Sequence, residues 1–253
     1  MRLRTVAFTV GAAVLSGTLG VRASGPTPVI VELYTSEGCS SCPPADQLLA
    51  RMAAAPNTDG ALVIPLGEHV DYWDELGWRD RFSSAALTAR QQVYAQRLSA
   101  EGPYTPEMVI DGRSECIGSD AAAAKRAITK AGSQPHGTIE ITIAGAKGTG
   151  LQLAVRASNL PQKASDRADI YIAITEDHLR SDVTRGENHG RTLTHTAVVR
   201  QLDRAGDAVG AAAAVERAIA IEPSWRRDAL HIVAFVQERR GGAILAAASV
   251  PLS

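Results

Sequence analysis

The sequence predicts an α/β fold that gives way to a mostly antiparallel, β-sandwich-like segment, and three observations point there. From Pro28 to about Gly132, runs of β-formers alternate with helix-forming stretches. Beyond a break at 132–137 that contains Pro135, the apolar period drops to two, as expected for strands with one face buried. Between the first strand and the first helix stands Cys39-Ser40-Ser41-Cys42-Pro43-Pro44. Proline lacks an N–H and is tolerated only in the first helical turn, so this turn marks a helix start near Ser41, with Cys39 just outside it.

Val29, Ile30, Val31, Leu33 and Tyr34 favour a buried extended strand, and Ala45 to Ala55 reads as the helix that follows. Ala61 to Leu66 is a second strand, followed by a polar-aromatic loop from His69 to Trp78. Ser83 to Ala100 has helical composition, with Ser83 or Ser84 as its cap. Gly102 to Pro106 breaks that helix, and Met108 to Ile110 is a third strand. Asp111-Gly112 is a two-residue hairpin signal leading into a fourth strand, Ser114 to Ile117. Ser119 or Asp120 then caps an alanine-rich helix to Lys130. Strand–helix–strand implies a parallel pair with a right-handed crossover, and the hairpin adds an antiparallel pair. This order, with the Cys-x-x-Cys after the first strand, resembles a thioredoxin-like domain.

The second half alternates along Ile139, Ile141 and Ile143, then Leu151, Leu153 and Val155 after a glycine-rich turn at 145–150. Ile170, Ile172 and Ile174 repeat the pattern, as do Leu230, Ile232, Ala234 and Val236, and Ala243 to Val250 closes it. Several short alternating strands argue for a sandwich or barrel. Ala208 to Ile221 fits helix or strand equally well. The expected divisions are a leader at 1–23, a thioredoxin-like domain at 24–134 and a β-sandwich-like domain at 135–253.

The leader reading rests on Arg2 and Arg4, the apolar stretch Val6 to Leu19, and Val21-Arg22-Ala23 before Ser24. It makes the mature chain a periplasmic or secreted protein. No later apolar run approaches the ~20 residues that a membrane span needs. A net charge of −1 with interspersed signs gives no argument for a nucleic-acid or membrane partner. Three cysteines are too few for a disulfide-stapled scaffold.

Cys39 and Cys42 are the first candidates for chemistry. At a helix start, unpaired amides and the positive dipole end favour thiolate over thiol, and the thiolate is the nucleophile. An offset of three residues lets one sulfur be exposed and the other partly covered, which suits Cys39 attacking and Cys42 resolving through a mixed disulfide. The same residues also suit a permanent disulfide, or half of a zinc site, although zinc normally takes four ligands and no second such motif exists. Thr105-Pro106 precedes a strand antiparallel to the first and so lies at the sheet edge that carries Cys39. His69, Asp71, Tyr72 and Trp73 follow the second strand and should approach the same edge, where Asp71 and Trp73 could shape a substrate groove. Glu32 is a carboxylate in an apolar strand and needs a reason to be there, an edge or an arginine being the plain ones. The polar loop from Thr184 to His195 could bind an anion or a partner, pack near the cysteines, or be a solvated hairpin loop. Cys116 reads as a buried, inert thiol.

The stretches Val31-Glu-Leu-Tyr-Thr-Ser-Glu-Gly-Cys-Ser-Ser-Cys-Pro-Pro44, His69-Val-Asp-Tyr-Trp-Asp74 with Leu76-Gly-Trp78, Tyr104-Thr-Pro-Glu-Met-Val109 and Glu187-Asn-His-Gly-Arg-Thr-Leu193 resemble a family of secreted bacterial proteins. That family is catalogued as a domain of unknown function with a thioredoxin-like part. The thioredoxin-like resemblance implies a cis peptide bond at Pro106, with Thr105 and Pro106 clamping an extended substrate segment. It also implies an acidic residue on the first strand as proton acceptor for the buried thiol. Glu32 is the candidate, although it sits one residue farther from Cys39 than the pattern has it. The expected function is thiol–disulfide exchange on protein or small-molecule thiols and disulfides, with no added cofactor or metal. A periplasmic carrier of a soft ion such as Cu(I), with His69 as a third ligand, and an interaction module with an inert disulfide are the rivals. The direction of electron flow is not readable, because related motifs span about 150 mV.

Overall fold

The computed structural model describes residues 25–98, 101–144, 150–161 and 166–252. The leader at 1–23 and most of the expected glycine-rich turn, 145–149, lie outside the described residues. Strand β1 (Thr27–Thr35) carries an almost unbroken apolar run and is buried on both faces. It lies between β3 (Ala61–His69), which is parallel to it, and β4 (Glu107–Ile110), which is antiparallel. Helix α1 (Pro43–Ala54) makes the crossover, and the short β2 (Asn57–Thr58) pairs with the start of β3. Helix α2 (Ala85–Leu98) leads to β4, which forms a hairpin with β5 (Ser114–Ile117). At the hairpin turn Asp111 and Gly112 both have positive φ, 55° and 62°, the requirement of a type I′ turn. A Cβ at Gly112 would meet the Gly242 carbonyl oxygen at 2.3 Å, so no larger residue fits. Helix α3 (Ala121–Gly132) is capped by Asp120, whose carboxylate accepts the Ala122 and Ala123 amides at 3.0 and 2.9 Å.

The second half contributes β6 (Thr138–Ala144), β7 (Gly150–Ser158), β8 (Arg167–Glu176), β9 (Leu179–Asp182), β10 (Thr192–His195), β11 (Val198–Val209), β12 (Ala213–Ala220), β13 (Leu230–Glu238) and β14 (Ile244–Pro251). The stretch from Ala208 to Ile221 therefore resolves as strand, the end of β11 and then β12. Strands β12, β7 and β6 form one small sheet and β9 pairs with β10. The remaining strands form one large mixed sheet in the order β14-β13-β8-β11-β3-β1-β4-β5. Leu151, Leu153 and Val155 of the small sheet pack on Ile170, Ile172, Ile232 and Ala234 of the large one.

The change of period at 132–137 separates the halves in sequence, yet their strands share a sheet. β11 joins β3 in parallel at Val198 and Gly67, and the Gly67 amide donates to the Ala197 carbonyl at 2.8 Å. On that side of β3 the Val63 amide is taken by the Pro56 carbonyl at 2.8 Å, and Pro65 between them has none. Proline inside a strand is tolerated where its nitrogen faces an open edge, which is its situation here.

The parity of β1 sets up the site. Val29, Val31 and Leu33 pack against Leu48 and Leu49 of α1 and Ile128 of α3. Ile30 faces the other way, toward Leu87 of α2 and Val233 and Phe235 of β13, and Tyr34 packs with Tyr94 of α2. Everything that concerns the cysteines is on the first face or at the C-terminal end of β1. Among the described residues, no helix is long and apolar enough to cross a membrane.

Candidate functional site

Between β1 and α1 the chain makes two successive turns, with the Cys39 amide donating to the Ser36 carbonyl and the Cys42 amide to the Cys39 carbonyl, both at 3.2 Å. Cys42 is the N-cap of α1, and Pro43 and Pro44 are its first residues. The Ala45 and Asp46 amides donate to the Cys42 carbonyl at 2.8 and 3.1 Å. Both cysteines are free thiols.

The Cys42 thiol donates to the Cys39 sulfur, and this contact is the largest influence pulling the Cys39 pKa down. Burial opposes it, but the side chains of Ser41 and Thr105 add two more donors, and the balance leaves Cys39 at about 6. Ser41 Oγ is 3.3 Å from the sulfur. The Ser41 amide also pulls the Cys39 pKa down, so a helix-start donor of the kind the sequence reading invoked acts beside the side chains. Burial, and next the hydrogen bond to Cys39, push Cys42 far above the ordinary thiol range. The pair is therefore split into one ionised and one protonated sulfur, the division that attack followed by resolution needs.

Exposure differs from expectation. Cys39 is 1 % exposed and Cys42 is fully buried, while Ser40 and Ser41 between them face solvent.

Thr105 and Pro106 lie where the sequence placed them, against the cysteine turn, and the bond between them is cis. Gly118 shows the closeness of this packing, because a Cβ there would sit 3.0 Å from Pro106 and 3.1 Å from Ala45 at the start of α1. Trp73 donates its indole N–H to Thr105 Oγ1 at 2.8 Å and so holds the wall of the site. Asp71 is not part of that wall. Its carboxylate accepts the Thr88 hydroxyl at 2.6 Å and its amide donates back to the same oxygen, which ties the loop to α2.

Glu32 does not meet the cysteines either. It shares the parity of Ile30 and Tyr34, so it points to the α2 face, away from α1. There Arg90 Nε donates to one carboxylate oxygen at 2.6 Å and the Tyr94 hydroxyl to the other at 2.7 Å. The arginine partner is the reason for a carboxylate in that strand, and the acidic residue that does approach Cys42 is one the sequence reading missed. Asp46, one helical turn after Cys42, accepts the Thr35 hydroxyl at 2.8 Å, and Thr35 Oγ1 lies within hydrogen-bond reach of the Cys42 sulfur. Burial raises the Asp46 pKa, with His195 and His69 acting against it. The i, i+4 spacing from Cys42 was the available signal.

Behind the turn lies a buried ionic cluster. Burial pushes the His69 imidazole down, but Asp80 at 2.6 Å, with Asp46 and Glu37 beyond it, raises it above its ordinary value. Burial pushes Asp80 up, yet His69 holds it at about 2. Glu37 accepts Trp78 Nε1 at 2.7 Å and His195 Nε2 at 3.2 Å, and its amide donates to Asp80 at 2.9 Å. The loop between β9 and β10 also docks on the turn, one of the options its composition allowed. Asn188 donates to the Glu37 and Cys39 carbonyls at 2.9 and 2.8 Å, and the Ser40 amide donates to Glu187 at 2.9 Å. His189 is exposed. Cys116 is half-buried on β5, and burial raises its pKa to about 11.

Among the described residues, no three His, Cys, Asp or Glu side chains converge to hold a metal ion. An apolar cleft of about 500 Å³ opens where β3 and β11 part, lined by Leu62, Ile64, Pro65, Thr175, Val233 and Ala247, well away from the cysteines.

Two solved structures resemble the chain along most of its length. Protein AGR_C_4864 from Agrobacterium tumefaciens is 25% identical with a TM-score of 0.68, covering 91% of this chain and 97% of its own. HBP35 of Porphyromonas gingivalis is 16% identical with a TM-score of 0.63, covering 90% and 76%, a likeness of fold. No curated protein matches the chain. The family described as protein of unknown function (DUF1223) matches residues 30–237, and the chain belongs to it.

Proposed function

We propose that this protein is an exported thiol–disulfide oxidoreductase whose first half is a thioredoxin-like unit and whose substrates are protein or small-molecule thiols and disulfides. The observation that carries the reading is the placement of three side-chain donors, Cys42, Ser41 and Thr105, against the Cys39 sulfur, which lowers its pKa while burial raises that of Cys42 three positions on. The order β1–α1–β3 with an antiparallel β4–β5 hairpin and Pro106 beside the turn supports the thioredoxin-like assignment. Export rests on Arg2, Arg4 and the apolar stretch after them.

In the reductive direction the Cys39 thiolate attacks one sulfur of a substrate disulfide, and the other leaves as a thiolate with the bonding electron pair. Cys42 then gives its proton through the Thr35 hydroxyl to Asp46 and attacks the Cys39 sulfur. The Cys39–Cys42 bond forms, the mixed disulfide breaks, and the second substrate thiolate departs. The oxidative direction is the reverse.

The near-complete covering of Cys39 favours one rival, a pair that stays shut as an inert structural disulfide. A redox titration in glutathione or dithiothreitol buffers, with a disulfide-reductase assay beside it, separates the two. Under the proposal both cysteines exchange together at a defined potential, and Cys39→Ser abolishes turnover. Resistance to mild reductant, or turnover unchanged in Cys39→Ser, overturns it.

A further inference from the structure

We infer that Asn188, supplied by the second half of the chain, is a positioning residue for the nucleophile: it fixes the backbone of the Cys39 turn so that the sulfur stays within reach of its donors. The inference rests on the oxidoreductase reading and adds to it a function for the loop between β9 and β10.

Asn188 is fully buried, and its whole amide is committed. Both Nδ2 hydrogens go to the turn, one to the Glu37 carbonyl at 2.9 Å and one to the Cys39 carbonyl at 2.8 Å. Its Oδ1 accepts Arg191 Nη1 at 2.9 Å. Two carbonyls on one side and a guanidinium on the other leave a single orientation of the amide, because a flipped one would face acceptor to acceptor and donor to donor. The glycines at 186 and 190, with φ of +71° and +78°, let the loop turn tightly enough to deliver the side chain. Glu187 beside it accepts the Ser40 amide at 2.9 Å and ties the same turn from its solvent side.

Two consequences for Cys39 follow from this geometry. First, the Cys39 carbonyl also accepts the Cys42 amide at 3.2 Å, so the Asn188 bond completes the anchoring of the Cys39–Ser40 peptide unit, the first of the three between the cysteines. With that unit fixed, the sulfur is held 3.3 Å from Ser41 Oγ and beside Thr105. Second, an N–H on each of the Glu37 and Cys39 carbonyls takes up negative ends on the nucleophile's own turn, which left free could oppose a negative sulfur. A solvated hairpin loop would provide neither. The second half is in this sense part of the site, and a first half without it keeps only the turn's own hydrogen bonds, from the Cys39 amide to Ser36 and from the Cys42 amide to Cys39.

The test is a titration of Cys39 ionisation in the full-length reduced chain, followed by thiolate absorbance and by the pH dependence of iodoacetamide alkylation. The variants are Asn188→Asp, which keeps the shape and removes at least one of the two donors, and Arg191→Met, which leaves the buried Oδ1 without its guanidinium partner while the Asn188 donors stay in place. Asn188→Asp is expected to raise the midpoint by about one unit or more, a tenfold loss of alkylation rate well below the midpoint. Arg191→Met is expected to move it the same way by less. A purely structural part for Asn188 would lower the unfolding temperature and leave the midpoint alone. That result in a folded Asn188→Asp, or an unmoved midpoint in Arg191→Met should Asn188→Asp fail to fold, overturns the inference. A wild-type Cys39 that titrates like an ordinary thiol sinks the oxidoreductase reading itself, before any variant is compared.

Discussion

Replacing Cys42 separates two ways of ionising Cys39. The Cys42 thiol is the leading influence on the Cys39 sulfur, ahead of Ser41 and Thr105. A hydrogen bond to a charged group is worth about 1.5–3 kcal/mol, which corresponds to about one to two pH units. Cys42→Ser keeps an O–H donor in the same place, and Cys42→Ala keeps none. The Cys39 midpoint should therefore stay near 6 in the serine variant and rise to about 7–8 in the alanine variant. At pH 7 the serine variant is then about nine-tenths thiolate, against about one-thirtieth for an ordinary thiol. Absorbance at about 240 nm reads the thiolate directly, and each variant retains only Cys39 and Cys116. Burial keeps Cys116 at about 11, so any ionisation seen between pH 4 and 9 belongs to Cys39. Equal midpoints in the two variants would refute the reasoning, because the helix end and the remaining donors would then account for the thiolate without Cys42.

Asp46→Asn removes the proton acceptor for Cys42. In a single-turnover assay it should slow release of the second substrate thiol by about 100-fold, at the low end of general-base effects, while formation of the mixed disulfide keeps its rate. Glu32→Gln should leave that assay untouched and instead destabilise the fold by about 3 kcal/mol in urea unfolding, since a buried ion pair loses one partner. The figure sits at the low end because Glu68, 3.7 Å from Arg90 and with its pKa raised by burial and by Glu32, is placed to take over the pairing. Burial raises Glu107, next to Pro106, to about 7, so the folded chain keeps a proton that the unfolded chain releases near ~4.3. Stability should fall as pH climbs through that interval, and Glu107→Gln should flatten the fall in thermal unfolding measured from pH 4 to 8.

Local chemistry made much of this legible from residues alone. Pro43 and Pro44 announced the start of α1 to within two residues, and Asp111-Gly112 announced its hairpin, because proline and left-handed backbone constrain their own neighbours. Glu32 shows where such reasoning stops. Its parity with Ile30 and Tyr34 was plain, but which face of β1 would receive α1 is decided by packing against α3 and the second half. The docking of Asn188 on a turn about 150 positions earlier left no local trace, since a polar loop with two glycines reads the same whether solvated or buried. The burial of Cys39 was missed for the same reason, because its cover comes from segments remote in sequence. The join of β11 to β3 is likewise a pairing between distant strands, while the change of period at 132–137 records only what each strand does with its own side chains.

Pro65 bears on the behaviour of the molecule among its neighbours. Every outward amide on that stretch of β3 is spent, on Pro56 or Ala197, or missing altogether. A stray strand from another molecule that entered the gap beside β11 would find carbonyls but no donor to zip against. The β3 side of that gap in the main sheet thereby offers no donor to templated aggregation.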